Sequence, residues 1–589
     1  MNLRSARIVP LILLLAAAGL SMPANLPAQS GRFDDEDIYV NEGWPFERGD
    51  IAIADKYLQW VEDAIGAGHW SQARAALERA VDFADISSDI SYLLALARSH
   101  ENASRRSVLQ SLEQAIGTGQ WRYYTEAQAR LMQADQLITL RRYSSALDTL
   151  AAYKTIAGET ADAALLRLAA LKGLVISGTK PRPASVILPV QVEFRRRMLE
   201  TLDRYPRDPR PLRILFDYVR GREPDRDDIA LVEIALRRLP FLLELDQELA
   251  WMAAPFISNT DEARRLVSAY RAGSLKSRQS VDFKPHTASI IPALNLGLLD
   301  DNDAADELFT ETVLDKEQVV SIGNLLRSEE GRNYFVRKLH SFTGAITENE
   351  DRDDYPESRA VYRQGNLQEY YYDADQDGIT DLFIVFIAGT PQRAELTTLP
   401  SLEHGRAQTL ILWERYPSVQ RAVLGSETYL YAPGEFPFAP IIFEEIFSSD
   451  SYAGLLFPRS DLRNQGINRR MIAFNAVSFQ RPSPEFEGGV EQVFLERGMP
   501  VRAEVTLNDA IVSVTEFENG YPVIQRLDMD VDGRMETVRR FDRGIMRLSE
   551  SDWYDGVFGS AELYREDGSI VYIWDLDGDG TREYSETRY

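Results

Sequence analysis

Three short segments of this chain place acid side chains where a single cation could gather them. They read Asp373-x-Asp375-x-Asp377-Gly378-x-x-Asp381, Asp528-x-Asp530-x-Asp532-Gly533-x-x-Glu536 and Asp575-x-Asp577-x-Asp579-Gly580-x-x-Glu583. Ca²⁺ takes six to eight hard oxygens in a flexible cage. Carboxylates at the first, third and fifth positions of a tight turn point at one centre. The glycine at the sixth permits the backbone reversal. A carbonyl at the seventh, from Ile379, Arg534 or Thr581, adds an oxygen, and the acid at the ninth closes the shell. Without a cation, so many carboxylates at close range repel and partly hold their protons. A fourth copy, Asn349-x-Asp351-x-Asp353-Asp354-x-x-Glu357, has an aspartate in place of the glycine.

The competing reading is a set of solvated hairpin tips, since Asp-Gly turns are common between strands. One copy alone would favour it. Three copies of one spacing favour Ca²⁺ at one site or more. The segments at 575 and 373 rank above the one at 528, with the 349 copy last. The pattern resembles the EF-hand loop, and more closely the DxDxDGxxD hairpin loops of integrin-type propellers. Only the third copy has an acid at the twelfth position, Glu586, yet Ser569 to Trp574 before it has a strand pattern. The expectation is calcium clips at hairpin turns, outside any helix–loop–helix frame.

No other catalytic or cofactor signature stands out. The five histidines, His69, His100, His286, His340 and His404, form no pair at helical spacing. Phosphate-cradling, dinucleotide-binding and nucleophile-elbow motifs are absent from the sequence. With 91 acids, chance carboxylate pairs are everywhere, so they point to no hydrolase. There is no cysteine, which removes disulfides, thiolate metal sites and thiol nucleophiles.

The loops need elements to hold them. Residues 346–589 carry alternating, aromatic-rich runs such as Leu382 to Ile387, Val501 to Leu507 and Ile570 to Trp574. Asn519-Gly520 and Asp567-Gly568 are hairpin turn signals. Asp373 follows Asn349 by 24 residues, and Asp575 follows Asp528 by 47. The second interval is close to twice the first, which suits a repeated two-strand hairpin unit of about 24 residues, whereas a propeller blade needs a longer, even spacing.

Residues 48–325 show helical periodicity, with a connecting helix over 326–345. Gly68-His69-Trp70-Ser71-Gln72-Ala73, continued by Leu77 and Ala80, resembles the second helix of a tetratricopeptide repeat. Tyr143-Ser144-Ser145-Ala146, continued by Leu150, has the same spacing 73 residues on, about two periods of that repeat. Tyr205-Pro206 to Pro211-Leu212 resembles a junction between repeats, and beyond Leu188 the pattern departs from the family. The resemblance implies stacked helix pairs with a groove for protein or peptide partners. The expected fold is therefore α+β and multidomain: a tetratricopeptide-like helical array, then an antiparallel β-hairpin meander.

Residues 1–28 have the grammar of a secretory signal: Arg4 and Arg7, an apolar run from Leu11 to Leu20, then small residues and prolines. Residues 29–47 read as an acidic linker. The formal net charge of −26 argues against nucleic acid and anionic lipid, and for cations or basic partners. No later stretch is long and apolar enough to span a membrane. The expectation is an exported, periplasmic or extracellular scaffold of the cell envelope, non-enzymatic and Ca²⁺-stabilised. The alternative is a glycan-binding or glycan-hydrolysing protein, using aromatics such as Tyr370, Tyr371, Tyr372, Trp553 and Tyr554.

Overall fold

The structure is a computed structural model. It describes residues 56, 58–83, 88–101, 104–176, 184–220, 224–273, 285–349, 355–373, 376–397, 409–435, 437–438, 441–459, 469–552 and 557–589. The signal and linker expectations, residues 1–47, lie outside the described residues, as do Asp351, Asp353, Asp354, Asp375, Trp553 and Tyr554.

The first half is an array of helices that pair with their neighbours in the chain. Helix Ser88–His100 packs on Arg105–Thr118, Glu126–Thr139 on Tyr143–Ala157, and Ala161–Ile176 on Ala184–Arg204. Local chemistry sets where they start. Thr125 and Asp225 open their helices with reciprocal capping boxes through Gln128 and Asp228. Asn259, Asp300, Asp315 and Ser328 cap later helices with side-chain oxygens. The positions that carry the repeat resemblance are the contact positions: Ala73, Leu77, Ala80, Ala146 and Leu150 are all fully buried. Close approach has a visible cause at Gly173, where an added Cβ would fall 2.3 Å from the ring of Tyr143.

Towards the end of the array the helices shorten, to Leu249–Ala253 and Ile290–Asn295, and a first strand, β1 (Val313–Asp315), appears within the span read as helical. It pairs in parallel with β2 (Gly344–Glu348), beyond helix Glu329–Ser341. From β2 to β9 (Glu427–Tyr431) each strand pairs antiparallel with the next. The ladder then passes to β12 (Ala476–Pro482) and runs in order to β21 (Tyr584–Arg588). Strands β10 (Ile442–Glu445) and β11 (Leu456–Arg459) form a separate pair. The fold is α+β, as expected: helical pairs, then an antiparallel meander.

Alternation of strand direction sorts the connections onto two edges of the sheet. Connections 349–357, 373–381, 528–536 and 575–583 follow β2, β4 (Asn366–Tyr372), β16 (Tyr521–Leu527) and β20 (Ile570–Trp574), which run the same way. All four therefore share one edge. The opposite edge carries two-residue turns at Gln364-Gly365, Ala388-Gly389, Arg497-Gly498, Asn519-Gly520 and Arg543-Gly544, both residues of each at positive φ. These are mirror-image turns, whose twist matches that of the strands.

The largest core joins the two halves. Ile290, Leu308, Val319, Phe335 and Leu339 from the last helices pack with Ile346, Tyr362, Ile384, Ile411, Trp413 and Phe457 from the sheet. A small cluster of Phe486, Val505, Val512 and Leu527 follows. Beyond it the sheet has no second layer among the described residues, and the strands from Thr537 onward bury few side chains. Among the described residues, no helix is long and apolar enough to cross a membrane.

Candidate metal centres

Each Asp-rich loop begins where a strand stops. In the loop after β20, Asp575 is 1% exposed and accepts from the N–H of Gly578 and of Gly580, both at 2.7 Å. In the loop after β16, Asp528 is likewise 1% exposed and accepts from Asp532 N–H at 3.1 Å and Gly533 N–H at 2.8 Å. Asp373 accepts from Asp377 N–H at 3.2 Å and Gly378 N–H at 2.9 Å. The fifth-position acid then takes the N–H two residues on: Asp377 from Ile379, Asp532 from Arg534 and Asp579 from Thr581, each at 2.8 Å. All three turns share the sixth-position N–H on the first aspartate and the seventh-position N–H on the fifth acid, and differ in that Asp575 takes the fourth-position N–H where Asp528 and Asp373 take the fifth. The sixth-position glycines carry the shared part because their φ of +86° to +95° is hostile to a side chain.

The ninth acids turn back over their loops. Glu536 accepts from Met529 N–H at 2.6 Å and Glu583 from Leu576 N–H at 2.8 Å. Glu583 also accepts from the hydroxyl of Thr581. Asp575, Asp577, Asp579 and Glu583 each bring a carboxylate oxygen within 4.8 Å of the others, and so do Asp528, Asp530 and Glu536. Asp532 stands outside the second cluster. The other oxygen of Glu536, Oε2, is shielded from solvent and lacks a hydrogen-bond partner. A hard cation suits that donor set, all carboxylate and partly buried. Burial pushes the Asp575 carboxyl up, but the N–H groups of Gly580, Gly578, Asp577 and Asp579 outweigh it and hold it below the usual carboxylate range. Glu586 is not part of this loop: it lies in β21 opposite Tyr572, with Arg588 Nε 3.3 Å away.

The loop after β4 differs. Asp373, Asp377 and Asp381 are not gathered around a centre among the described residues. Asp381 N–H donates to Tyr372 O at 2.8 Å. Asp377 is buried and meets the helical array, with its Oδ2 2.9 Å from Arg106 Nε. Arg105 N–H donates to Asp377 O at 2.6 Å, and the Arg105 guanidinium donates to Gln376 O. That guanidinium lies over the Tyr355 ring, 3.6 Å from its centroid. Next door, Arg141 pairs with Glu357, which is 2% exposed. These three arginines carried no signal in the sequence. Each partner lies more than 200 residues away along the chain, and no local spacing links them.

Other candidates sit in ordinary surroundings. His100 stacks on Trp70 at 3.7 Å, and His286 on Trp251 at 5.6 Å. Tyr370 is buried against Phe457, and Tyr371 lies beside Phe383.

No family model matches the chain. An uncharacterized protein of Treponema pallidum (strain Nichols) is 22% identical over 652 aligned positions, which cover 92% of this chain and 79% of that one. Among solved structures, a tetratricopeptide repeat protein from Parabacteroides merdae aligns with 48% of this chain and 98% of its own at a TM-score of 0.32 and 10% identity. PilW, a type IV pilus biogenesis factor, aligns with 37% of this chain and 93% of its own at 0.29 and 14% identity. An O-GlcNAc transferase mutant of Thermobaculum terrenum aligns with 26% of this chain and 27% of its own, at 0.21 and 16% identity.

Proposed function

We propose that this chain is an exported, non-enzymatic binding protein whose helical array receives a protein or peptide partner and whose sheet is stiffened by Ca²⁺. The observation that carries the metal reading is the pair of loops at 528–536 and 575–583. Each gathers acid oxygens around a fully buried first aspartate, and in one of them Glu536 keeps an unmatched buried oxygen. A divalent ion would supply the positive charge those oxygens lack. It would tie the ends of β16 to β17 (Thr537–Asp542) and of β20 to β21, where the single-layer sheet has little core of its own. Binding to the folded state alone stabilises it by mass action, by about 2.7 kcal/mol at one hundred times Kd.

The partner reading rests on the array's form. Stacked helix pairs leave an extended open surface. At the end of helix Arg226–Leu242 and just beyond it, Phe241 is 81% exposed and Leu245 63%, two large apolar side chains that a partner would cover. Export rests on the signal-like segment at 1–28.

Two measurements test this. EDTA should lower the melting temperature and Ca²⁺ should restore it, more fully than Mg²⁺ does. Asp577→Ala with Asp579→Ala should remove part of that response. A melting curve that ignores the chelator would end the calcium reading. In a pull-down from envelope extract, Phe241→Asp with Leu245→Asp should lose proteins that the wild-type chain retains. Recovery of nothing by the wild-type chain would end the scaffold reading.

A further inference from the structure

One row of paired residues crosses the sheet from its first strand to its last, and the chemistry of that row changes part-way. From Leu314 it passes through Ile346, Ile384, Ile411 and Phe479 to Ala503, all buried in the core shared with the helices. On the same face it then reads Thr515, Gln525, Arg539, Ser549, Glu562 and Tyr572. The neighbouring row changes alike, from Val505 and Leu527 through Thr537, Ser551 and Ser560 to Trp574. Where the helical layer ends, the face turns from aliphatic to hydroxyl-rich, with large rings at its far side. A face meant for a second apolar layer would stay aliphatic. Side-chain size then shapes it into a trough. Strands β18 (Ile545–Asp552) and β19 (Phe558–Tyr564) supply a low floor of Ser549, Ser551 and Ser560. On one side stands Arg539 of β17, which donates to Glu485 at 2.7 Å, while Gln525 donates to the other Glu485 oxygen at 2.9 Å. On the other side stand Tyr572 and Trp574 of β20, their rings 12° from parallel and 5.8 Å apart, with Tyr584 5.4 Å from Trp574. The two walls are three strand spacings apart, about 14 Å. Glu562 rises from the floor beside the rings, its carboxylate held by the Tyr564 hydroxyl. The hydroxyls of Ser549 and Ser560 make no hydrogen bond among the described residues.

We propose that this trough binds a glycan chain of neutral pyranose units, with sugar faces against Tyr572 and Trp574 and sugar hydroxyls on the serine floor, Glu562 and Arg539. A pyranose presents C–H groups on its faces and hydroxyls around its rim. The trough offers both complements: aromatic rings for the faces, and groups that donate and accept for the rim. One carboxylate and one guanidinium face the floor, so their charges balance and a neutral ligand suits it. An extended peptide would instead seek the backbone of a sheet edge, or apolar pockets for its side chains, and a serine floor is neither. Nucleic-acid bases also stack on rings, but a chain of net charge −26 repels their phosphates. The trough needs no cation in the Asp-rich loops, and it adds a second class of ligand to the partner of the helical array.

Saturation-transfer NMR on the full chain tests this, with the β-linked hexasaccharides of glucose and of N-acetylglucosamine and with maltohexaose as probes. Saturation should pass from the protein to the C–H groups of at least one of them, with a Kd of about 1 mM or tighter. Tyr572→Ala with Trp574→Ala should weaken that binding by about tenfold or more. Ser549→Trp fills the floor without touching the rings and should do the same, which keeps the test alive if loss of the rings unfolds the hairpin. Arg526→Ala, on the opposite face of the sheet, should leave the affinity unchanged. No transfer to any of the three sugars overturns the assignment. An affinity that survives Ser549→Trp places the sugar elsewhere and overturns it too. If no sugar binds and Ser549→Trp loses a protein from the envelope pull-down, the trough belongs to a peptide and the glycan assignment fails.

Discussion

Carboxylates staple the backbone at several turns and helix starts of this molecule, and Asp301 makes the point away from any metal loop. It accepts from Ser328 N–H at 2.9 Å, Ser328 Oγ at 2.6 Å and Arg327 N–H at 3.1 Å, and so fixes the start of helix Glu329–Ser341. Gly331 makes room for it, since a Cβ there would lie 2.5 Å from that of Asp301. Burial raises the Asp301 carboxyl, but the hydrogen bonds from Ser328 and Arg327 prevail and hold it below the usual range. A carboxyl depressed in the folded state contributes stability that is full above the unfolded value, about 4, and is lost as pH falls through the folded value. Asp301→Asn should therefore destabilise at pH 7, by about 1–3 kcal/mol for the unmade bonds. It should also flatten the fall in stability below pH 4, measured by urea unfolding across pH. An unchanged acid limb in the variant would refute this assignment.

At the scale of elements, spacing made the helix pairs readable and contact decided how close they come. Ala73, Ala146 and their partners were visible as small residues at one helical face, because a close crossing needs them. Gly173 was not, since its reason is the ring of Tyr143 on a neighbouring helix. Gly173→Ala should gain helix propensity and still lose about 1–3 kcal/mol through overpacking, seen as a lower urea midpoint. Tyr143→Leu in the same chain should recover most of the loss, which a propensity effect alone would not. In the sheet, Asn519-Gly520 was legible because a mirror-image turn needs positive φ twice. Arg497-Gly498 and Ala388-Gly389 take the same geometry with residues that announce it less.

For the molecule as a whole, the division at 346 reads as a change of texture but does not divide the core. Phe335 stacks edge-on against Phe447 at 5.3 Å, and Gly323 lies under the same ring, so the last helices belong to the sheet's packing. A fragment of residues 346–589 lacks the helices that cover Ile346, Ile384 and Ile411, and should expose that sheet face and melt without cooperativity. A fragment beginning at 285 keeps helices Ile290–Asn295 to Glu329–Ser341 and should melt as one unit. A sharp calorimetric transition for the shorter fragment would show that the helices are dispensable.

The amino-acid sequence alone determined the order of helices then hairpins, the Asn-Gly turn and the three Asp-rich loops. Each is written in residues within a dozen positions of one another, where periodicity, φ preference and charge spacing act locally. Only the tertiary structure decided what each loop faces. Two gather their own acids and the third meets Arg105 and Arg106, although the spacing is shared. The physical reason is that a carboxylate answers to whichever charge lies within a few ångströms. For Asp377 that charge arrives from 271 residues away, carried there by the packing of two separate layers.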